Sequence, residues 1–176
     1  IDLSRLKGSW AGAMGQPQFM PSSYLKYAED FDGDGTRDIW SNHADVFASI
    51  ANYLKAYGWD GEAIWGRQVR VPGAVAELAE RAGSRGEGCR AERALSRRRY
   101  LAEWQAMGVR TVEGRNLPAV ERQASLLDAG DRQFLVYANY EAILGYNCAN
   151  AYALSVAMLG DRIPLRSGRV VGTDGA

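Results

Sequence analysis

The sequence predicts an α+β fold that is mainly α, with a small mixed lobe containing short antiparallel strands. Apolar residues recur at steps of three and four along 45–57, which is typical of an amphipathic helix. Along 121–137, two apolar runs flank the turn-forming Asp-Ala-Gly-Asp, which indicates a hairpin. The apolar stretch 139–159 is interrupted by a short polar junction and predicts two helices.

Local signals predict the remaining elements. A proline opens a short helix over 21–28, because its missing N–H costs little in a first turn. Residues 68–71 alternate like a strand, and 100–107 form a helix that ends at Gly108. The stretch 83–88 is glycine-rich and predicts a loop.

These elements suggest one core that the chain leaves and then re-enters. Residues 1–66 form the first core segment, and 67–130 form the mixed lobe. Residues 131–165 supply the closing helices. The final stretch, 166–176, has little apolar content and is expected to be a tail or linker.

Charge and hydropathy exclude some classes of protein. The 21 basic residues balance the 21 acidic ones, so no overall field favours a nucleic acid partner. No window reaches the roughly 20 apolar residues of a membrane span. The sequence begins at Ile1 without an initiator methionine, just ahead of a dense motif. We expect it to be a piece of a longer protein, with any export signal or lipid anchor ahead of it.

Cysteine and histidine are scarce. Cys89 and Cys148 are the two thiols, and with the single His43 they are too few for a structural zinc site. The spacing fits a bridge formed in an oxidising compartment and fits two free thiols equally well. Both alternatives remain open at this point.

An acidic loop between the first two helices matches the opening of an EF-hand calcium loop. Glycine stands at position six, where the hand turns sharply, and carboxylates occupy positions one, three, five and nine, at Asp30, Asp32, Asp34 and Asp38. Alternate side chains in such a loop converge on one point, and hard oxygen ligands favour calcium over softer metals.

The loop departs from a standard hand at its end. Position twelve holds Ser41 instead of a bidentate glutamate, so the nearest carboxylate that can close the cage is Asp45, in the first turn of the next helix. The predicted ligands of a structural calcium are therefore Asp30, Asp32, Asp34, Asp45 and the carbonyl of Thr36. The alternative is a solvated acidic turn.

Two stretches closely resemble the membrane-bound lytic murein transglycosylase B family. The stretch from Gly8 to Trp59 contains Gly-Ala-Met-Gly, Gln-Phe-Met-Pro-Ser-Ser-Tyr and the Asp-Gly-Asp-Gly loop. The second stretch runs from Phe134 to Asn147 and is followed by a matching Tyr-Ala-Leu at 152–154. Together they cover about half of the chain. The resemblance implies a lysozyme-like core with an EF-hand whose last carboxylate comes late, as Asp45 does.

The resemblance also implies an activity and a location. The family cleaves the β-1,4 bond between N-acetylmuramic acid and N-acetylglucosamine in peptidoglycan, and it leaves a 1,6-anhydro end. The implied location is the periplasm, with the enzyme associated with the outer membrane through an upstream segment. Three alternatives remain: a non-catalytic peptidoglycan-binding module with a structural calcium, a calcium-dependent interaction protein, and a simple hydrolase.

Matching positions supply candidate glycan contacts. Ser9 and Gln18 correspond to polar groove residues, Phe19 to a platform beside the sugar, and Tyr146 and Asn147 to polar groups on the far wall. The chemistry suits a glycan, because sugars present hydroxyls and amides at their edges and C–H groups on their faces.

The catalytic acid has no counterpart in this sequence. In the family it is a glutamate on a helix well ahead of the Gly-Ser-Trp-Ala-Gly motif, and only seven residues precede Gly8. We therefore expect it upstream of the present sequence and assign no catalytic residue. Glu29, Glu62 and Glu141 are each expected to be solvated charges.

Overall fold

The computed structural model describes residues 7–81 and 88–163. Most of the expected glycine-rich loop and the whole expected tail 166–176 lie outside these residues. The chain divides into two compact units, Ile1–Tyr57 (unit 1) and Gly58–Ala176 (unit 2), and each is described by itself.

Unit 1 contains two helices, α1 (Pro21–Tyr27) and α2 (His43–Ala56), and both confirm the sequence prediction. The side chain of Asn42 caps α2 by accepting the backbone N–H of Ala44 at 3.0 Å. The buried face of α2 includes two polar residues, Asp45 and Ser49, which the apolar spacing did not indicate. Both are buried because they accept backbone N–H groups from the segment between the helices.

Aromatic packing around Tyr53 forms the core of unit 1. Its ring centroid lies 4.8 Å from that of Tyr27 and 5.5 Å from that of Phe19, in edge-on and tilted arrangements. Tyr57 stacks on it at 4.6 Å, one helical turn further along. Such pairs add about 1 kcal/mol each beyond their area burial. They tie both helices to the segment that precedes α1.

Unit 2 is built on one antiparallel sheet. Its strands are β1 (Gly66–Arg70), β2 (Arg99–Tyr100), β3 (Arg110–Thr111), β4 (Gln123–Asp128) and β5 (Gln133–Val136). They lie in the order β2-β4-β5-β1-β3. The helices are α3 (Gly73–Arg81), α4 (Arg90–Arg93), α5 (Leu101–Ala106), α6 (Ala138–Tyr146) and α7 (Asn150–Gly160). The predicted hairpin, the helix before Gly108 and the two closing helices are confirmed.

The β4–β5 hairpin separates two hydrophobic clusters. Leu127 and Phe134 point into a cluster formed with α4, α6 and α7. Leu126 and Leu135, one residue away on each strand, point into a second cluster with α5 and Trp104. Successive side chains of a strand face opposite sides of the sheet, so a hairpin covered on both sides is apolar throughout.

Cys89 and Cys148 form a disulfide, which decides between the bridge and the two free thiols that the spacing allowed equally. The bridge joins the start of α4 to the junction between α6 and α7. Two hydrogen bonds reinforce it: Ala91 N–H donates to the Cys148 sulfur at 3.3 Å, and the Asn150 amide donates to the Ala91 carbonyl at 3.1 Å. The junction is therefore fixed to α4 covalently and by hydrogen bonds.

Among the described residues, no single helix has the length and apolar character needed to cross a membrane. The pair α6 and α7 passes that test only when the two helices are taken together, and they are bent by 119° at their junction.

Candidate functional site

The glycine-rich motif of unit 1 folds back on itself. Met14 N–H donates to the Phe19 carbonyl at 2.7 Å, and Phe19 N–H donates to the Met14 carbonyl at 3.0 Å. Gly15 lies between them against Ile39, where an added Cβ would be only 2.5 Å from the Ile39 carbonyl oxygen. Only glycine fits this approach. The motif is thus a rigid loop that packs on the end of the acidic segment.

Gln18 is exposed and has a φ of 53°, the one left-handed backbone conformation among the described non-glycine residues. Its side-chain nitrogen donates to the Gly15 carbonyl at 2.8 Å. This conformation costs a non-glycine residue about 1 kcal/mol or more, and such strain tends to occur where function requires a particular side chain. Within residues 7–81 and 88–163, the carboxamide oxygen of Gln18 accepts no hydrogen bond, and it is available to a ligand.

The residues flanking Gln18 differ in exposure. Ser9 is exposed, and its hydroxyl oxygen accepts Ala13 N–H at 3.1 Å, so it caps a turn and retains its O–H as a donor. Phe19 is 2% exposed and belongs to the core of unit 1. Beside Ser9, the indole of Trp10 is fully exposed. The sequence interpretation did not single out Trp10, because exposure of one tryptophan has no local signal.

Tyr146 and Asn147 lie together at the C-terminal end of α6. Tyr146 is partly buried, and burial, together with the neighbouring Tyr152, raises the pKa of its phenol well above the ordinary value. The phenol therefore stays protonated and can donate a hydrogen bond. Asn147 is exposed and ends the helix, with its own N–H donating to the Ile143 carbonyl at 3.1 Å.

Three of the five predicted metal ligands converge in unit 1. One carboxylate oxygen from each of Asp30, Asp32 and Asp45 lies within 4.8 Å of the others. Oxygen atoms that all lie about 2.4 Å from one calcium ion can be at most about 4.8 Å apart, so the three carboxylates are close enough to share one cation.

Hydrogen bonds hold these carboxylates in place. Asp30 accepts the N–H groups of Gly33 and Gly35, both at 2.8 Å, and Asp32 accepts the Asn42 amide at 2.8 Å. Each carboxylate has about four lone-pair sites, so such bonds leave room for a cation. The all-oxygen donor set and the glycine-punctuated loop both fit a calcium ion.

Asp34 and Thr36 are arranged differently. The Asp34 carboxylate accepts both the hydroxyl and the N–H of Thr36, each at 2.7 Å. The side-chain bond from Thr36 is the main reason that the pKa of Asp34 lies below its usual value, and the backbone bond adds to it. Both bonds go to the same carboxylate oxygen, Oδ1, so neither of them involves the Oδ2 of Asp34.

The glutamates singled out in the sequence are held in different ways. Glu29 is exposed and accepts the Asn52 amide at 2.6 Å, and Glu62 is exposed. Glu141 departs from the expected solvated charge, because its side chain is only 17% exposed and forms an ion pair with the Arg98 guanidinium. A negative charge on the sheet side of α6 is tolerated because the arginine compensates it.

Comparison with known proteins identifies the class. The family model described as Transglycosylase SLT domain matches residues 1–161, and the chain belongs to this family. Among curated proteins, membrane-bound lytic murein transglycosylase B of Escherichia coli (strain K12) is 35% identical over 168 residues, which are 93% of this chain and 41% of that protein.

Solved structures agree with this assignment. SltB3 from Pseudomonas aeruginosa in complex with NAG-anhNAM-pentapeptide is 46% identical, with a TM-score of 0.79 over 92% of this chain and 41% of that chain. Escherichia coli Slt35 in complex with calcium is 34% identical, with a TM-score of 0.66 over 89% of this chain and 45% of that one. The expected lysozyme-like lytic transglycosylase fold, with helices and a curled antiparallel sheet, is confirmed. The chain spans less than half the length of these relatives.

Proposed function

We propose that this chain is part of a peptidoglycan lytic transglycosylase that cleaves the β-1,4 bond between N-acetylmuramic acid and N-acetylglucosamine. The product would be a 1,6-anhydromuramic end, formed when the C6 hydroxyl of the sugar displaces the neighbouring glycan. Family membership supports the reaction class, and SltB3 is described with an anhydro-sugar peptide. The observation in the structure that supports it best is the strained, exposed Gln18 within the family motif.

The glycan contacts follow from exposure and hydrogen-bonding capacity. We assign the Gln18 carboxamide oxygen and the Ser9 hydroxyl to sugar hydroxyls and acetamido groups. Within unit 2 itself, we assign the phenol of Tyr146 and the amide of Asn147 to hydrogen bonds with sugar groups. Phe19 is too buried to offer a face to a sugar. We therefore propose that Phe19 supports the loop that carries Gln18.

We assign the aromatic platform instead to Trp10, whose exposed indole adjoins Ser9. Aromatic rings stack on the C–H faces of sugars, and tryptophan offers the largest such surface.

A structural calcium ion is the second part of the proposal. Asp30, Asp32 and Asp45 would hold it, and hydrogen-bonding groups of the loop already orient these carboxylates. The description of Slt35 in complex with calcium agrees with this choice of metal. The ion would neutralise crowded carboxylates and fix the loop at the start of α2.

The disulfide supports a periplasmic location. Disulfides form and persist in oxidising compartments, including the bacterial periplasm, and are rare in the cytosol. Peptidoglycan lies in that same compartment. Location, substrate and covalent structure are therefore mutually consistent.

Product analysis tests the activity. Purified sacculi are incubated with the protein in its full length, and the soluble fragments are identified by mass spectrometry. We expect anhydro-muropeptides. Fragments with reducing ends would show hydrolysis instead, and binding to sacculi without soluble fragments would show a non-catalytic module. Either result would contradict the proposed reaction.

A further inference from the structure

The junction between α6 and α7 carries the proposed glycan contacts of unit 2. It consists of residues 147–149, directly after Tyr146, and it connects two helices that are bent by 119°. Asn147 and Cys148 are exposed, and Ala149, which precedes α7, has no side chain that can cap the helix. Packing and capping within the junction therefore contribute little to holding Asn147 in place.

The disulfide ties this junction to a fixed point on α4. Ala91 and Leu95 are 6% and 0% exposed, and they belong to the hydrophobic cluster that α4 shares with α6 and α7. Cys89 immediately precedes α4, so its bond to Cys148 joins a buried helix to the residue after Asn147. A covalent bond at the neighbouring residue restricts the positions that the backbone of Asn147 can adopt.

Asn150 ties the other side of the junction to the same helix. Its amide donates to the Ala91 carbonyl at 3.1 Å. The hydroxyl of the buried Tyr140 donates to the backbone carbonyl and to the side-chain oxygen of Asn150, both at 3.2 Å. The Asn147 amide itself makes no hydrogen bond within residues 7–81 and 88–163, so its position follows from that of the backbone.

We infer that the Cys89–Cys148 bridge positions Tyr146 and Asn147 for the glycan, so that glycan affinity depends on the oxidation of the bridge; this inference rests on the proposed function. With the bridge intact, the end of α6 is preorganised, and less conformational entropy is lost when the glycan binds. Reduction frees the junction, while the apolar residues of α6 and α7 keep both helices in their cluster. Glycan affinity therefore falls while the fold remains.

Thiol exchange reaches the bridge from solvent, because Cys148 is exposed and Cys89 is partly exposed. A thiolate of a dithiol attacks one sulfur of the bridge, forms a mixed disulfide and displaces the other cysteine as a thiolate. The second thiol of the reductant then closes its own disulfide and releases the remaining cysteine. The bridge gains two electrons and two protons, and the dithiol loses them.

A cycle that combines reduction with mutation tests the inference. Calorimetric titration measures the affinity of the full-length protein for the disaccharide GlcNAc-MurNAc without peptide. The oxidised protein and the protein treated with dithiothreitol are compared at a temperature at which circular dichroism shows both to be folded. We expect reduction to weaken binding by about fivefold, the effect of losing about one hydrogen bond. Asn147→Ala should weaken binding by a similar factor in the oxidised protein and by much less in the reduced protein, because the contact is already impaired there.

Three control variants separate positioning from stability. Gln18→Ala removes a proposed contact in unit 1, and it should weaken binding by the same factor in the oxidised and reduced proteins. Leu135→Ala empties a buried position in the other cluster of unit 2, at a cost in stability similar to that of losing the bridge, and should leave affinity unchanged. A variant with both cysteines changed to serine should bind like the reduced protein and should not respond to dithiothreitol.

Asn150→Ala provides a second measurement with the bridge intact. It removes the hydrogen bond to the Ala91 carbonyl, while the Tyr140 hydroxyl keeps the backbone carbonyl of residue 150 as its acceptor. We expect binding to weaken by about twofold, and unchanged affinity in this variant would contradict the inference even if the reduced protein does not stay folded.

Two results would overturn the inference alone. One is equal affinity of the oxidised protein and the folded, reduced protein, and the other is an equal effect of Asn147→Ala in both. Absence of disaccharide binding by the oxidised wild type would overturn the proposed function as well.

Discussion

The fully buried carboxylate of Asp45 accepts the backbone N–H of Phe31 at 2.8 Å, and its other oxygen accepts that of Asp38 at 2.9 Å. One side chain at the start of α2 thus fixes two points of the acidic loop. Since the same carboxylate lies within reach of Asp30 and Asp32, loop structure and the proposed metal binding both involve this one residue.

Replacing Asp45 should lower the stability of the metal-free protein and should also remove its stabilisation by calcium. Asp45→Ala leaves two N–H groups without their acceptor, and we expect the free energy of unfolding to fall by about 3 kcal/mol without metal. Calcium should raise the melting temperature of the wild type but not of this variant. Differential scanning calorimetry with calcium and with chelator measures both effects. Asp131→Ala, at an exposed site outside the loop, is the control. Equal stabilisation of both variants by calcium would exclude Asp45 as a ligand.

Gly15 should tolerate no side chain. Its φ is 63°, and a Cβ there would meet the Ile39 carbonyl, so Gly15→Ala should lower the free energy of unfolding by about 3 kcal/mol. Gly130 also has a positive φ, of 83°, but nothing lies within 4 Å of its added Cβ. Gly130→Ala should therefore cost only about 1–2 kcal/mol. Chemical denaturation compares the two variants, and equal losses would contradict the close approach.

Strain at Gln18 predicts opposite effects on stability and binding. Gln18→Gly removes the cost of the left-handed conformation and should match or exceed the wild-type stability by up to about 1 kcal/mol. Gln18→Ala keeps the strained backbone and loses the bond to Gly15, so it should be the less stable variant. Both should lose glycan affinity in titrations. A glycine variant less stable than the alanine variant would show that the conformation is not strained.

Substitution of Trp10 should affect glycan binding, whereas substitution of Phe19 should affect folding stability. Trp10→Ala should weaken glycan binding by about fivefold to tenfold, with little change in melting temperature, because its indole is fully exposed. Phe19→Ala should lower the free energy of unfolding by about 3–5 kcal/mol, because it empties a core position. Thermal melts and titrations on both variants check this. Unchanged glycan affinity in Trp10→Ala would remove it from the proposed site.

Reduction of the Cys89–Cys148 bridge should destabilise unit 2. The cysteines are 59 residues apart, and closing a loop of that size stabilises a protein by about 4 kcal/mol in the chain-entropy model. Urea unfolding with and without dithiothreitol measures the difference. A variant with both cysteines changed to serine should unfold like the reduced protein and show no response to the reductant.

Sequence reasoning succeeded where signals were local. The hairpin along 121–137 was predicted because its turn and its apolar runs are contiguous. β2 and β3 were missed because each is two residues long and exists only by pairing with β4 and β1. The burial of Asp45 was also missed, since apolar spacing gives no signal for its bonds to the N–H groups of Phe31 and Asp38, 14 and 7 residues earlier.

The candidate site was predictable only in part, for the same reason. Gln18 and Asn147 were found through motifs, and both are exposed. The burial of Phe19 depends on Tyr53, which is far along the chain. The ion pair of Glu141 with Arg98 joins residues that are 43 positions apart, and no spacing rule could indicate it.

The β4–β5 hairpin leaves little freedom for change in the length of its strands. Because neighbouring residues of each strand enter different clusters, a shift of one residue in strand pairing would exchange the contents of both clusters at once. A single insertion or deletion within either strand would therefore damage two cores. Variation in length is compatible with the fold only at the turn between the strands, around Gly130, where the chain is exposed or nearly so.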